Sequence, residues 1–562
     1  MKWLQTRDGT NQNVGIDDPF DGKPLQEIES DARKFHSEAP GLQSLLDVEV
    51  LIKGAKLAKD FNAIESISIS VVEKRILEEE ERSNLRGLKD VIQQMGEGMR
   101  VTIMATACAA VAFGTWVSDP LQGFSPQRAG SIPDRLPPQA NGLETSEFGT
   151  KASVAPIFAA EAAMEKSRGR ILMLWQLFDA LGIMLGFVVA LISPASWEVQ
   201  LGAALIPSLA LMLVVMLCPE GAYKSLRRLR KLELQAARDL YFIHVQLQRE
   251  VRMYLSTKEI GSSPFPYQDY VEKQNSFKRM LYLFTLRRNT RACLVAFLVM
   301  TSQQLCGINV LAYYSSTVFG NAAGTNRINL LSFGFGASNF VFTLPAFFLI
   351  DSKGRRFILL TSLFFMAVSL LGASFCFNIE AEGRRVAAVV VTVIIMYTAS
   401  YSIGAGPVPF TLSAEIFPLA FREVGMSFSV MVNFLGLGFL VLFVPRITRI
   451  WPSTENERIG QRNVLFLFTG LNAIMLVLLF LIIPSTERKA LEDMNHIFSR
   501  PTKERVVGNF KPVAILLRLR EEDDTLATNI DLHPMQQGQE LTQDQQQADE
   551  GGSRRNVRRT AL

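Results

Sequence analysis

Between Ser302 and Phe319 the chain reads SQQLCGINVLAYYSSTVF, an apolar stretch that holds Gln303, Gln304, Asn309, Tyr313 and Tyr314. Side-chain amides placed in hydrocarbon without partners are costly, so such groups face a water-filled cavity or a solute with its own donors and acceptors. Gln and Asn each carry both a donor and an acceptor, which suits neighbouring hydroxyls. The chemistry indicated is uncharged recognition of a polyhydroxylated molecule; the alternative is that these residues bond adjacent helices. On an unbroken helix Gln304 and Asn309 stand about 140° apart, too far round to touch one small ligand. Gly307 lies between them, and a break there would bring both amides to the same cavity.

Other polar residues sit in apolar surroundings. In LWQLFDALG, Asp179 follows Gln176 by three positions and shares nearly the same helix face. An acid there is costly against lipid, so it is expected to point to the cavity, as a candidate for proton coupling. Glu161 precedes Arg168 by seven residues, and Glu415 precedes Arg422 by the same interval. About two helical turns separate the members of each pair, which places them on one face near the end of an apolar block. The echo suggests a duplicated architecture with a site between two halves.

Enzyme chemistry has no footing here. His36, His244, His496 and His533 are scattered, and Cys108, Cys218, Cys293, Cys306 and Cys376 lie in or beside apolar blocks, where a thiol acts as a small hydrophobe. No nucleophile and base are paired and no phosphate loop is present, so neither a metal nor a cofactor is expected, and nucleic acid is not an expected partner.

The elements that must hold these residues are membrane helices. Apolar blocks run over 101–118, 170–193, 199–218, 292–319, 328–350, 357–378, 386–410, 426–445 and 463–484, with a shorter one at 152–164. An all-α integral membrane protein follows. The segment 220–291 carries fifteen Lys and Arg against seven Asp and Glu, which places it in the cytoplasm. Alternation from there puts both chain ends on the cytoplasmic side. The organisation read is a cytoplasmic N-terminal region (1–98), an N-terminal membrane bundle (99–219) with a polar loop at 118–149, a basic loop (220–291), a six-helix bundle (292–485) and a polar tail (486–562). The charged run VVEKRILEEEERSNLRGLKDVIQQM reads as a solvated amphipathic helix on the cytoplasmic side, with a plain spacer as the favoured alternative. The opening MKWLQTRDGT has no apolar core of a secretory signal.

These residues together resemble the sugar porter family of the major facilitator superfamily, in its fungal sugar and polyol branch, over roughly 152–498. The family's seventh-helix pattern Q-Q-x-x-G-x-N-x-x-x-Y-Y is matched by Gln303, Gln304, Gly307, Asn309, Tyr313 and Tyr314. Its acid followed by G-R-R is matched by Asp351, Gly354, Arg355 and Arg356, and its G-P-V-P and A-E-x-F-P by Gly406 to Phe410 and Ala414 to Pro418. The resemblance implies a two-bundle helical fold and sugar or polyol contacts from Gln176, Gln303, Gln304, Asn309, Tyr314, Asn339 and Phe410. It also implies a gating charge cluster of Glu161, Arg168, Asp351, Arg355, Arg356, Glu415 and Arg422, and offers Asp119 as a second proton-coupling candidate.

The departures are as informative. About ten hydrophobic segments stand where the family has twelve, because the polar stretch 118–149 occupies the place of helices two and three and half of helix four. The expected function is alternating-access transport of a hexose, pentose or inositol-like solute across the plasma membrane, with the solute, the bilayer and protons as partners. The alternative is a transport-inactive sugar sensor or a degenerate, truncated transporter.

Overall fold

The computed structural model describes residues 23–39, 41–60, 67–82, 153–159, 168–193, 205–216, 222–254, 276–309, 325–376, 391–450 and 457–484, with isolated positions between them. The chain divides into Met1–Thr502 and Lys503–Leu562, and only a few helical positions of the second unit are described. Among the described residues all regular structure is helical.

Three short helices open the chain: α1 (Leu25–Glu38), α2 (Val48–Lys59) and α3 (Val71–Arg82). The Asp47 side chain caps α2 by accepting the Glu49 N–H, and Ser70 and Glu73 satisfy each other's backbone N–H groups at the start of α3. Next come α4 (Arg168–Ile192), α5 (Leu205–Val215), α6 (Ala222–Leu229), α7 (Glu233–Tyr254), α8 (Ser276–Thr285), α9 (Arg287–Leu305), α10 (Thr325–Lys353) and α11 (Arg355–Cys376). After two π-helical segments, Val391–Tyr397 and Tyr401–Ala405, follow α12 (Pro407–Ile416), α13 (Arg422–Ile450) and α14 (Glu457–Ile482).

Among the described residues, five stretches are long and apolar enough to cross a membrane: Gly169–Ile192, Leu330–Ile350, Arg355–Cys376, Leu419–Val444 and Arg462–Ile482. They coincide with five of the expected blocks. Their outer faces expose Leu344, Phe348, Phe357, Phe364, Val368, Phe439 and Leu442, a composition suited to lipid contact. In three other blocks the described residues give the shorter α5 within 199–218, an interruption after Leu305 within 292–319, and a stretch within 386–410 that is π-helical over most of its described length. The loop 118–149 lies outside the described residues, as does most of 101–118.

The N-terminal region is more than a spacer. Ile28 and Ala32 of α1, with Leu51, Ile52 and Ala55 of α2, share one apolar core with Tyr223 and Leu226 of α6 and Ala236, Ala237, Leu240 and Tyr241 of α7. Contact is close at Gly54, where a Cβ would lie 2.7 Å from the Arg238 backbone nitrogen. Only glycine lets the two backbones approach so nearly. Phe35 stacks on the His244 ring at 3.9 Å, and burial pushes that imidazole down to about 4. In the unfolded chain a His titrates near ~6.5, so on acidification the undocked state takes up the proton first. Docking is therefore strongest above about pH 6.5 and weakens as pH falls towards 4. Hydrogen exchange of α1 and α2 in the full chain is expected to quicken relative to α14 over that interval, and His244→Phe, which keeps the stack, is expected to flatten the response.

Candidate functional site

The backbone at the end of α9 breaks where the polar residues need it to. Cys306 N–H still bonds the Ser302 carbonyl, but Gly307 adopts φ +90°, and the helical pattern restarts with Leu311 N–H on the Gly307 carbonyl. This left-handed conformation is the one that favours glycine. The interruption turns Asn309 back towards α9, and its Nδ2 donates to Gln304 Oε1 at 2.7 Å. The two amides that a straight helix holds apart are joined.

A broken helix leaves carbonyls without intrahelical donors, and buried carbonyls need partners. The Cys306 carbonyl receives two, from the Tyr397 hydroxyl at 2.8 Å and from Asn472 Nδ2 of α14 at 3.0 Å. The Cys306 thiol donates to the Gln303 carbonyl. Removing one of the two donors, as Tyr397→Phe, is expected to cost about 1 kcal/mol, whereas Tyr397→Phe with Asn472→Leu is expected to cost more than the two single changes added, because the carbonyl then stands bare. Thermal denaturation in detergent reads this.

Gln303 and Gln304, adjacent in sequence, have different surroundings. Gln303 ties three elements together: its Nε2 donates to the Gly406 carbonyl at 2.9 Å and to the Tyr401 hydroxyl at 3.4 Å, and its Oε1 accepts from Asn433 Nδ2 of α13 at 2.7 Å. Gln304 packs its stem against Gly436, where a Cβ would come within 2.9 Å of Cγ. On α10, Asn339 is buried and its Oδ1 accepts from Ser402. On α4, Gln176 Nε2 reaches Asp179 Oδ2 at 3.4 Å, and the neighbouring Trp175 ring lies 6.4 Å from Phe410 of α12. Tyr313 and Tyr314 lie outside the described residues, as does Asp119.

The π-helical turn at Tyr401–Ala405 has a local cause. Pro407 and Pro409 lack N–H groups, so the preceding turn loses ordinary donors and widens, with Gly406 N–H bonding the Tyr401 carbonyl five residues back. Ser362 of α11 completes it, donating to the Ser400 carbonyl at 2.6 Å and accepting the Ala405 N–H at 2.9 Å. Gly404 permits the approach, since a Cβ there would meet Ser362 Cβ at 2.5 Å.

A second cluster, of charges, gathers at one end of the helices. Gly354, at φ +78°, ends α10 so sharply that α11 begins at the next residue. Arg355 Nη2 then bonds Glu415 Oε1 of α12 at 2.8 Å, with side-chain exposures of 9% and 5%. Arg356 turns elsewhere, donating to the Phe480 carbonyl at 2.8 Å and lying over the Phe480 ring, so it fastens α14. Arg422 is buried and acts electrostatically on Glu250. Glu161 lies outside the described residues, and the side chains of Arg168 and Asp351 do too, although their backbones belong to α4 and α10.

Sequence reasoning missed Glu250. It sits on α7 in the basic segment, fully buried, where Oε2 accepts the Ala420 N–H at 2.9 Å and Oε1 accepts from Gln246. Burial raises its carboxyl, against that N–H and the nearby Arg288 and Arg422 charges. One residue in a charged loop carries no sequence signal of such a contact.

A family model described as "Sugar (and other) transporter" matches residues 147–498. The chain belongs to this family of sugar transporters and is a multi-pass membrane protein of the transporter class. It is 30% identical over 380 residues to polyol transporter 5 of Arabidopsis thaliana, covering 63% of this chain and 68% of that one. Myo-inositol transporter FST1 of Gibberella moniliformis is 27% identical over 386 residues, covering 65% and 63%. The galactose-proton symporter of Escherichia coli is 25% identical over 384 residues, covering 64% and 74%. Among solved structures, the proton:xylose symporter XylE bound to 6-bromo-6-deoxy-D-glucose aligns with a TM-score of 0.47 at 16% identity, over 84% of this chain and 99% of that one.

Proposed function

We propose that this protein carries a sugar or polyol across a membrane by alternating access, with Gln304 and Asn309 as the centre of its substrate site. The observation that carries the reading is the Gln304–Asn309 contact across the break at Gly307. Two amides so joined present a donor and an acceptor edge to vicinal hydroxyls without a charge that would have to be desolvated. Gln176, Asn339 and Tyr314 extend the polar lining, Gln303 holds the helices that frame it, and Phe410 beside Trp175 offers an apolar face to the carbon skeleton. Relatives named for polyol, myo-inositol and galactose transport support this substrate class.

In this reading the bundles at 99–219 and 292–485 rock about the site, in the plasma membrane, with both chain ends and the 220–291 segment in the cytoplasm. The Arg355–Glu415 pair, with Arg422 and Glu250, closes the cytoplasmic side when the cavity opens outward. Glu161, Arg168 and Asp351 belong to the same lock. Breaking it opens the inner gate.

The test is binding of labelled myo-inositol, sorbitol and galactose to the purified chain. Saturable binding of at least one is expected, weakened about tenfold or more, ~1.4 kcal/mol, by Gln304→Leu or Asn309→Leu. Equal binding by wild type and both variants would remove the amide pair from the site.

A further inference from the structure

We propose that Asp179 is the group that binds a proton in this transporter, and that Gln176 links that proton to the substrate. The inference rests on the transport reading above and names the coupling at the same site. Asp179 lies within a membrane-length helix yet is only 8% exposed, so it faces the protein interior and not lipid. Its Oδ1 is buried and has no hydrogen-bond partner, and its Oδ2 has the Gln176 amide at 3.4 Å, the far limit of a hydrogen bond. A carboxyl group so placed has one oxygen unoccupied and one weakly held.

Among the described residues, no cation acts on its charge. From the π segment Tyr401 acts on it electrostatically, and Tyr401 is itself engaged by Gln303. On α12, which packs against α4, the acid Glu415 is committed to Arg355. Along α10, which packs against α4, the buried polar side chains described are Ser332, Asn339 and Thr343, all neutral.

The two protonation states then differ in what they ask of Gln176. As an anion, Asp179 only accepts, and it draws the Gln176 N–H. With a proton on Oδ1 it becomes a donor there, and Oδ2, now an uncharged acceptor, holds the Gln176 amide less strongly, which frees that amide for a substrate hydroxyl. Proton and substrate therefore favour each other's binding, by the same factor in both directions. The amide is the shared element.

The experiment measures binding of labelled myo-inositol, sorbitol and galactose to the full chain across about pH 5.5–8.5, together with proton uptake by weakly buffered protein when the bound probe is added. Wild type is expected to bind about tenfold more tightly at the acid end and to take up protons on binding. Asp179→Asn is expected to bind with one affinity throughout and to take up none, and Asp179→Ser answers the same question should the asparagine variant aggregate. Binding by wild type that is independent of pH, or pH dependence and proton uptake that persist in the Asp179 variants, would overturn this inference alone. Absence of saturable binding by wild type at every pH would instead overturn the transport reading, and this inference with it.

Discussion

Removing the Arg355 guanidinium alone, as Arg355→Met, is expected to destabilise the protein by about 3–5 kcal/mol, because Glu415 is left charged and buried without its partner. The double variant Arg355→Met/Glu415→Leu is expected to recover most of that loss, since a buried ion pair contributes little net stability over apolar residues of similar size. Function should separate from stability in the double variant. Helices α11 and α12 then lose the contact that holds their charged ends together, and if this end is the proposed cytoplasmic lock, a cysteine placed at Ser413 is expected to label faster with a membrane-impermeant thiol reagent applied from that side. Melting in detergent and labelling in inverted vesicles read the two effects. Equal melting of wild type and Arg355→Met would show that the pair is not as buried as its geometry says.

The second large effect is at Gly307. A side chain there faces two penalties: the left-handed φ, worth ~1–3 kcal/mol for a residue other than glycine, and the Phe468 ring, whose Cδ1 and Cγ would lie 3.0 Å from a new Cβ. Gly307→Val is expected to lower the melting point and to abolish saturable binding, because straightening the chain at this point separates Gln304 from Asn309. Gly470→Ala is the control, as a Cβ there meets nothing within 4 Å and its helix gains propensity. A Gly307→Val protein that binds normally would detach the helix break from recognition.

How far the sequence reached follows from the range of the forces involved. The break at Gly307 was legible because its cause is local: a glycine between two amides that a straight helix would set apart. The widened turn before Gly406 was only partly legible: Pro407 and Pro409 remove donors locally, but Ser362 and its close approach to Gly404 come from another helix. Gln303 and Gln304 look interchangeable in the motif, yet Gln303 is committed to Gly406, Tyr401 and Asn433, contacts about a hundred residues away or more. Arg355 and Arg356 diverge for a simpler reason. Adjacent residues on a helix point about 100° apart, so one meets Glu415 and the other Phe480.

The N-terminal helices show what polarity conceals. Their charged composition reads as a solvated spacer, but Ile28, Ala32 and Phe35 fall at helical spacing, as do Leu51 and Ala55, and these residues meet α7. The missing signal was the partner, an equally polar helix whose Ala236, Ala237 and Tyr241 form the opposite face. Farther along, α7 carries Glu250 to the Ala420 N–H beside Arg422. One helix thus joins the N-terminal core to the charged end of the membrane helices.

The most direct test of the whole account is counterflow in proteoliposomes. Vesicles containing the purified chain and preloaded with unlabelled myo-inositol, sorbitol or galactose should transiently accumulate the same labelled solute, and Gln304→Leu/Asn309→Leu should reduce this to the level of protein-free vesicles. Wild-type vesicles that accumulate none of the three, while the protein remains folded by its melting profile, would contradict it.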